Sequence, residues 1–198
     1  MSLFNVQRYG SMAAALLLPL LAACSSATST RYSTAPEISE PTTVFVVRHA
    51  ERISDQDRVS PLSGAGHDRA HALAEALGES GIQAIYVTQY QRTRQTAEPI
   101  AARLGLMPQV QATSVTPPEL ARAVLDRHRG GTVLIVGHSN TVNAIVNGLG
   151  GPALPELESS RYGDLFVVIV PAEGPVRTTR AQFGMPAVNS QGRQTPDF

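Results

Sequence analysis

The chain has 198 residues, 42% of them hydrophobic and 5% aromatic with no Trp, enough for one core filled by aliphatic side chains and too little for two full domains. Its 16 cations, all Arg, balance 16 Asp and Glu, so it offers no global field for nucleic acid or an anionic membrane, and any anion chemistry must come from locally placed Arg. The single Cys excludes a disulfide framework and a Cys-rich zinc or iron–sulfur site.

Arg8 gives a modestly positive start, and Met12 to Ala23 is apolar apart from Pro19. That run is too short to span a bilayer as a helix but suits a secretory leader. It ends in Leu21-Ala22-Ala23-Cys24, which resembles the lipidation motif of bacterial lipoproteins. Residues 1–23 are therefore read as a lipoprotein signal peptide and Cys24 as the lipidated residue, in preference to ordinary cleavage beside an incidental Cys. Residues 24–41, rich in Ser, Thr and Pro without an apolar period, are read as that lipidated Cys and a flexible tether. The expected location is the bacterial cell envelope, lipid-anchored and periplasm-facing. Ser25 after the Cys fits outer rather than inner membrane.

Thr43 to Val47 is a continuous run of β-formers, as in a strand buried on both faces. Pro61 and Ser63 precede a helix with Ala70, Leu73, Ala74 and Leu77 on one face, ended by Gly78 and Gly81. Ala84 to Val87 reads as a second strand. Residues 90–104 read as a helix that Pro99 should kink or delay, closed by Gly105. Pro117-Pro118 opens a helix through Val124 and Leu125, stopped by Gly130-Gly131. Thr132 to Val136 is a third buried strand, Ser139 to Leu149 a helix, and Leu165 to Val170 a fourth strand. Ala172-Glu173-Gly174-Pro175 turns into a fifth, Val176 to Phe183, whose polar alternation marks an edge hairpin. The tail from Pro186 is polar. This order predicts an α/β fold, a three-layer α/β/α sandwich on a mostly parallel sheet.

Ligands of such sheets bind at the carboxyl ends of the strands. Arg48-His49-Ala50-Glu51-Arg52 follows the first strand, Thr88 and then Arg92 follow the second, and Gly137-His138-Ser139-Asn140 follows the third. One such His is an ordinary structural residue; two with two Arg, delivered to one edge, are harder to dismiss. Arginine is a permanently charged fork for phosphate oxygens, and a neutral imidazole is a competent nucleophile. The helix that starts at Ser139 turns its free N–H groups toward the same place, where they and Ser139 suit an anion. Phosphoryl transfer asks for positioning and charge neutralisation, so this set needs no metal or cofactor. Two decoys fail. His67 and His71 stand at zinc-protease spacing but enclose Asp68 where a Glu is required. Gly137-His138-Ser139-Asn140-Thr141 lacks the closing Gly of a hydrolase nucleophile elbow, and no His follows it in the chain.

Val44-Phe45-Val46-Val47-Arg48-His49-Ala50-Glu51 resembles the signature of the histidine phosphatase superfamily, the phosphoglycerate mutase-like proteins. Supporting blocks follow in order: Pro61-Leu62-Ser63-x-x-Gly66, Arg92-Thr93-x-x-Thr96-Ala97, Val136-Gly137-His138-Ser139-Asn140 and Tyr162-Gly163-Asp164-Leu165. The resemblance implies a phosphoglycerate mutase-like domain over 42–185, with 186–198 as a tail. It implies that His49 becomes phosphohistidine, that Arg48, Arg92 and His138 clamp the phosphoryl oxygens, and that water completes the hydrolysis. Glu119 stands where mutase-like members place their proton donor; it is equally placed to be a first-turn carboxylate of its helix. Ser139 occupies the position where the acid phosphatase branch carries its acid, which argues against that branch. Ala50 in place of Gly after Arg-His, and no Asn in 52–60, favour a phosphatase over a mutase. Glu51 is expected behind or beside the site, and Arg52 and Arg58 on the surface in preference to contact with a distal anion of the substrate. The expected partner is a phosphorylated small molecule or envelope component. The expected activity is hydrolysis of phosphomonoesters, with a phosphohistidine protein phosphatase or a non-catalytic phosphate-binding lipoprotein as alternatives.

Overall fold

The computed structural model describes residues 39–185. The leader, Cys24, the tether as far as residue 38 and the tail from 186 lie outside the described residues. Six strands form one sheet: β1 (Thr42–Arg48), β2 (Ala84–Thr88), β3 (Gln109–Gln111), β4 (Thr132–Gly137), β5 (Asp164–Val170) and β6 (Arg177–Gln182). Four helices alternate with them: α1 (Gly64–Leu77), α2 (Gln91–Leu104), α3 (Pro117–Arg127) and α4 (Ser139–Gly148). The sheet order is β3-β2-β4-β1-β5-β6. The four strands from β3 to β1 run parallel, and β5 and β6 add an antiparallel pair at one side. Among the described residues no helix is long and apolar enough to cross a membrane.

Alternation along β1 divides the core into two halves. Val44 and Val46 face Tyr86, Ile135 and Phe166, where Ala121 and Val124 of α3 and Val142 and Ile145 of α4 close over them. Phe45 and Val47 face Ile85 and Leu134, covered by Leu73 and Leu77 of α1 and Ile100 of α2. Each such buried side chain contributes about 1.5–3 kcal/mol relative to exposure. These two apolar layers are why β1 and β4 read as unbroken Val and Ile runs: both of their faces are covered.

Two details differ from the sequence expectation. Helix α2 runs unbroken through Pro99, with Ala97, Ile100 and Ala101 buried around it; packing of that face outweighs the roughly 3 kcal/mol that an interior Pro costs. It ends at Gly105, whose φ of 65° is in the left-handed region that favours glycine. Strand β3, Gln-Val-Gln, has no apolar pattern and forms through backbone pairing to the edge of β2. The fifth expected strand is β6, antiparallel to β5 at the sheet edge.

The register of β1 and β4 fixes the next layer of the argument. Arg48 lies opposite Gly137, and the His49 N–H donates to the Gly137 carbonyl at 2.9 Å. The two residues that follow these partners are His49 and His138. Parallel pairing thus delivers both histidines side by side at the carboxyl edge, next to the end of β2 at Thr88.

Candidate active site

Arg48, His49, Arg92, His138, Ser139 and Asn140 line one cavity of about 400 Å³ at this edge. The sequence expectation brings together the two Arg, the two His and Ser139, and the structure does the same. The ring centroids of His49 and His138 are 5.3 Å apart in an edge-on arrangement. Arg48, His49 and Arg92 are buried.

His49 and the two arginines are held by neutral partners. His49 Nδ1 lies 2.8 Å from the Ala50 carbonyl oxygen. A carbonyl only accepts, so Nδ1 carries the proton and Nε2 keeps the lone pair. His138 Nδ1 lies 3.4 Å from an Arg92 Nη2 that can only donate, and its Nε2 lies 3.1 Å from the Thr88 hydroxyl. His138 is therefore the opposite tautomer, protonated on Nε2. Arg48 Nη1 donates to the carbonyls of Glu158 at 3.1 Å and Ser159 at 2.9 Å, and its guanidinium stacks 3.9 Å over Tyr162. Arg92 Nη1 donates to the Arg58 carbonyl at 2.6 Å, and its guanidinium stands 4.3 Å over Tyr90. The Nε–H groups of both arginines are buried without a hydrogen-bond partner.

Burial is the main cause that pushes the His49 imidazole down to about 3; His138, Arg48 and Arg92 add to it, against the hydrogen bond to Ala50. Burial also lowers His138, to about 4, with Arg92, Arg48 and Arg52 adding to it. Both rings are neutral at physiological pH. Positive charge in the cavity comes from arginine, and the lone pair on His49 is free for a nucleophilic role.

The carboxylates lie elsewhere or are engaged. Glu119 does not line the cavity. Its Oε2 accepts from the Thr116 N–H and hydroxyl, both at 2.8 Å, so it caps the start of α3. These two bonds hold its carboxyl below the usual range. Glu51 forms a bidentate ion pair with buried Arg69, which also reaches the Phe183 carbonyl. Close packing at Gly66 sets this corner: a Cβ there would stand 2.1 Å from the Glu51 carbonyl oxygen. Asp55 is the one carboxylate among the described residues lining the cavity, and it is exposed and paired with Arg52 at 2.8 Å.

Arg58 is exposed, as the sequence suggests, and Arg52 half-buried, and both also line the cavity, where the alternative of contact with a substrate anion would put them. Sequence reasoning missed Tyr90 as the platform beneath Arg92 and Thr88 as the partner of His138. Tyr90 carried a usable signal in its position between the end of β2 and Arg92. Tyr162 stands in the sequence only as the first residue of a supporting block; its place under Arg48 depends on a contact across the chain. His67 and His71 are exposed on α1, and no group of three or more His, Cys, Asp or Glu among the described residues is arranged to hold a metal ion.

A doubly covered sheet whose carboxyl edge presents two neutral histidines and two fixed arginines in one cavity has the chemistry that could receive an anion. Residues 44–113 match the family model of the histidine phosphatase superfamily, branch 1, and in that segment the chain is similar to that superfamily. A curated relative, the probable phosphoglycerate mutase GpmB of Yersinia enterocolitica, is 34% identical over 125 residues, covering 59% of this chain and 55% of the relative. The chain thus spans about half the length of the curated relatives it matches. Among solved structures, a mycobacterial glucosyl-3-phosphoglycerate phosphatase aligns over 70% of this chain and 97% of its own, with a TM-score of 0.57 and 16% identity. The protein histidine phosphatase SixA complexed with tungstate aligns over 71% of this chain and 96% of its own, with a TM-score of 0.56 and 20% identity. At these identities the two structures share the fold.

Proposed function

We propose that the protein is a phosphatase that hydrolyses phosphomonoesters through a phosphohistidine on His49 and needs no metal. The observation that carries this reading is the Nδ1–H bond to the Ala50 carbonyl, which leaves Nε2 of a buried, neutral imidazole as the nucleophile in a cavity lined by Arg48 and Arg92. Nε2 attacks phosphorus, the N–P bond forms as the ester P–O bond breaks, and the leaving oxygen takes a proton from water. A second water then attacks phosphorus, the P–N bond breaks and inorganic phosphate departs, leaving His49 neutral. Arg48, Arg92 and the first N–H groups of α4 hold the equatorial oxygens, where charge is concentrated in transfer, and His138 joins them by giving its Nε2–H to the anion in place of Thr88.

A second reading, phosphohistidine on a protein as substrate, is favoured by one observation. Glu51, Asp55 and Glu119 are all engaged by other groups, so a leaving group that departs without a carboxylic acid suits the site best. For location, the Leu21-Ala22-Ala23-Cys24 motif supports a protein anchored in the bacterial envelope by lipid on Cys24, facing the periplasm, with a phosphorylated small molecule or envelope component as partner.

The test is turnover of p-nitrophenyl phosphate by the purified chain in a chelator, beside His49→Ala. Chelator-resistant turnover that falls by ~10³-fold or more in the variant is expected. Equal rates in the two proteins would overturn the nucleophile. Loss of turnover in chelator would overturn the metal-free mechanism, and phosphate binding without turnover would leave a binding protein.

A further inference from the structure

A second cavity, of about 70 Å³, opens beside the catalytic one and shares Thr113, His138 and Thr141 with it. Its character is opposite. Val115 and Leu120 from the start of α3 and the loop before it, Ile135 and Val136 from β4, and Ile145 from α4 supply aliphatic walls, and no charged side chain lines it. Interiors of proteins are close-packed, and an apolar hollow adjoining an anion site is the form expected of a specificity pocket.

We propose that this cavity receives a short aliphatic segment attached to the ester oxygen of the substrate, so that the preferred substrates are aliphatic phosphate esters rather than sugar phosphates. The assignment rests on the phosphatase reading above. The shared walls at Thr113, His138 and Thr141 put the hollow next to any phosphoryl group bound between the arginines. Its volume fits about three carbons, since a cavity of ~150 Å³ holds benzene. A sugar carbon in the same place would strand its hydroxyls against Val115, Leu120 and Ile145. Thr113 and Thr141 stand at the junction, where the chain of carbons meets the phosphate.

Non-hydrolysable phosphonates separate this proposal from the catalytic reading. Dissociation constants of methylphosphonate and n-propylphosphonate are measured by calorimetry on the full-length chain. Each buried methylene is worth about fourfold in affinity, so propylphosphonate is expected to bind about 15-fold more tightly. In Ala112→Leu, at an exposed position lining the cavity, the added side chain fills the hollow and that ratio is expected to fall close to one. Equal affinities in the unaltered chain would overturn the aliphatic pocket while leaving the anion site intact. A ratio that persists in Ala112→Leu would overturn its placement here. If neither phosphonate binds, the anion site itself fails and both readings fall together.

Discussion

The arginines of this molecule fall into two groups that differ in what they touch. At the start of β5, Arg161 and Arg180 both grip the carboxylate of Asp164, with N–O distances of 2.8–3.1 Å. Arg69 is cancelled in the same way by Glu51. At the carboxyl ends of β1 and β2, Arg48 and Arg92 bond instead to main-chain carbonyls and lie over tyrosine rings, and neither forms an ion pair with a carboxylate among the described residues. Carbonyls and aromatic faces fix the orientation of a guanidinium without neutralising its charge. The difference shows where the fold keeps positive charge in reserve: around His49, where an anion would complete the set.

The sharpest way to break this comparison is to replace one arginine from each group. Arg92→Lys keeps a charge but loses the planar fork and the stacking on Tyr90. It is expected to lower kcat/KM for an aryl phosphate by about 10²–10³-fold, the usual cost of one donor to a transition-state oxyanion, with little change in the unfolding curve. A loss below about tenfold would mean that the reserve charge is not spent on the phosphoryl group.

Asp164→Asn tests the other group. Removing one partner of a buried pair costs about 3–5 kcal/mol; Arg161 and Arg180 keep some access to water, so about 2 kcal/mol is expected here. Burial alone would raise the Asp164 pKa, but the two arginines hold it below the ordinary carboxylate range. The predicted signature is a lower urea midpoint with kcat/KM of the folded protein nearly intact. A kinetic collapse without loss of stability would merge the two groups and refute the division.

Acid titration gives an effect with a defined sign. His49 and His138 titrate near 3 and 4 in the folded chain, below the ordinary value near 6.5. The unfolded chain therefore takes up protons first, and stability present above pH 6.5 is lost as pH falls toward 4. Each histidine contributes a slope of at most ~1.4 kcal/mol per pH unit. Melting temperatures measured from pH 7.5 to 4.5 are expected to decline through this window. A flat profile would mean that the rings are not buried in neutral form.

What the sequence disclosed follows the same physical division. Arg48, His49 and His138 were legible because each ends or directly follows a strand buried on both faces, where apolar runs stand out and the chain must emerge at the ligand-binding edge. Arg92 was legible from its place after β2. Strand β3 was not, because a polar edge strand exists only through pairing to β2. Tyr162 under Arg48, and the Glu158 and Ser159 carbonyls that hold it, lie more than 100 residues along the chain and carry no local pattern. The cavity-lining places of Arg52 and Arg58 depend on the path of a loop, and composition alone points such charges to water.

Glu119 marks where those two kinds of legibility meet, and it carries the smallest predicted effect. Thr116 followed three residues later by Glu is a capping-box pattern, readable in the sequence beside the alternative of a proton donor. In the structure the carboxylate accepts from both the N–H and the hydroxyl of Thr116 and does not line the cavity. Glu119→Gln keeps an oxygen for the cap and removes an acid. It is expected to change kcat/KM by no more than about twofold on either phenyl phosphate or p-nitrophenyl phosphate. Loss of turnover on phenyl phosphate alone, whose leaving group needs the proton more, would show that the start of α3 releases its cap and swings Glu119 into the cavity. Equal turnover on both would leave the leaving group to depart without a carboxylic acid from Glu119, and would sharpen the contrast between a site rich in fixed positive charge and carboxylates spent on structure.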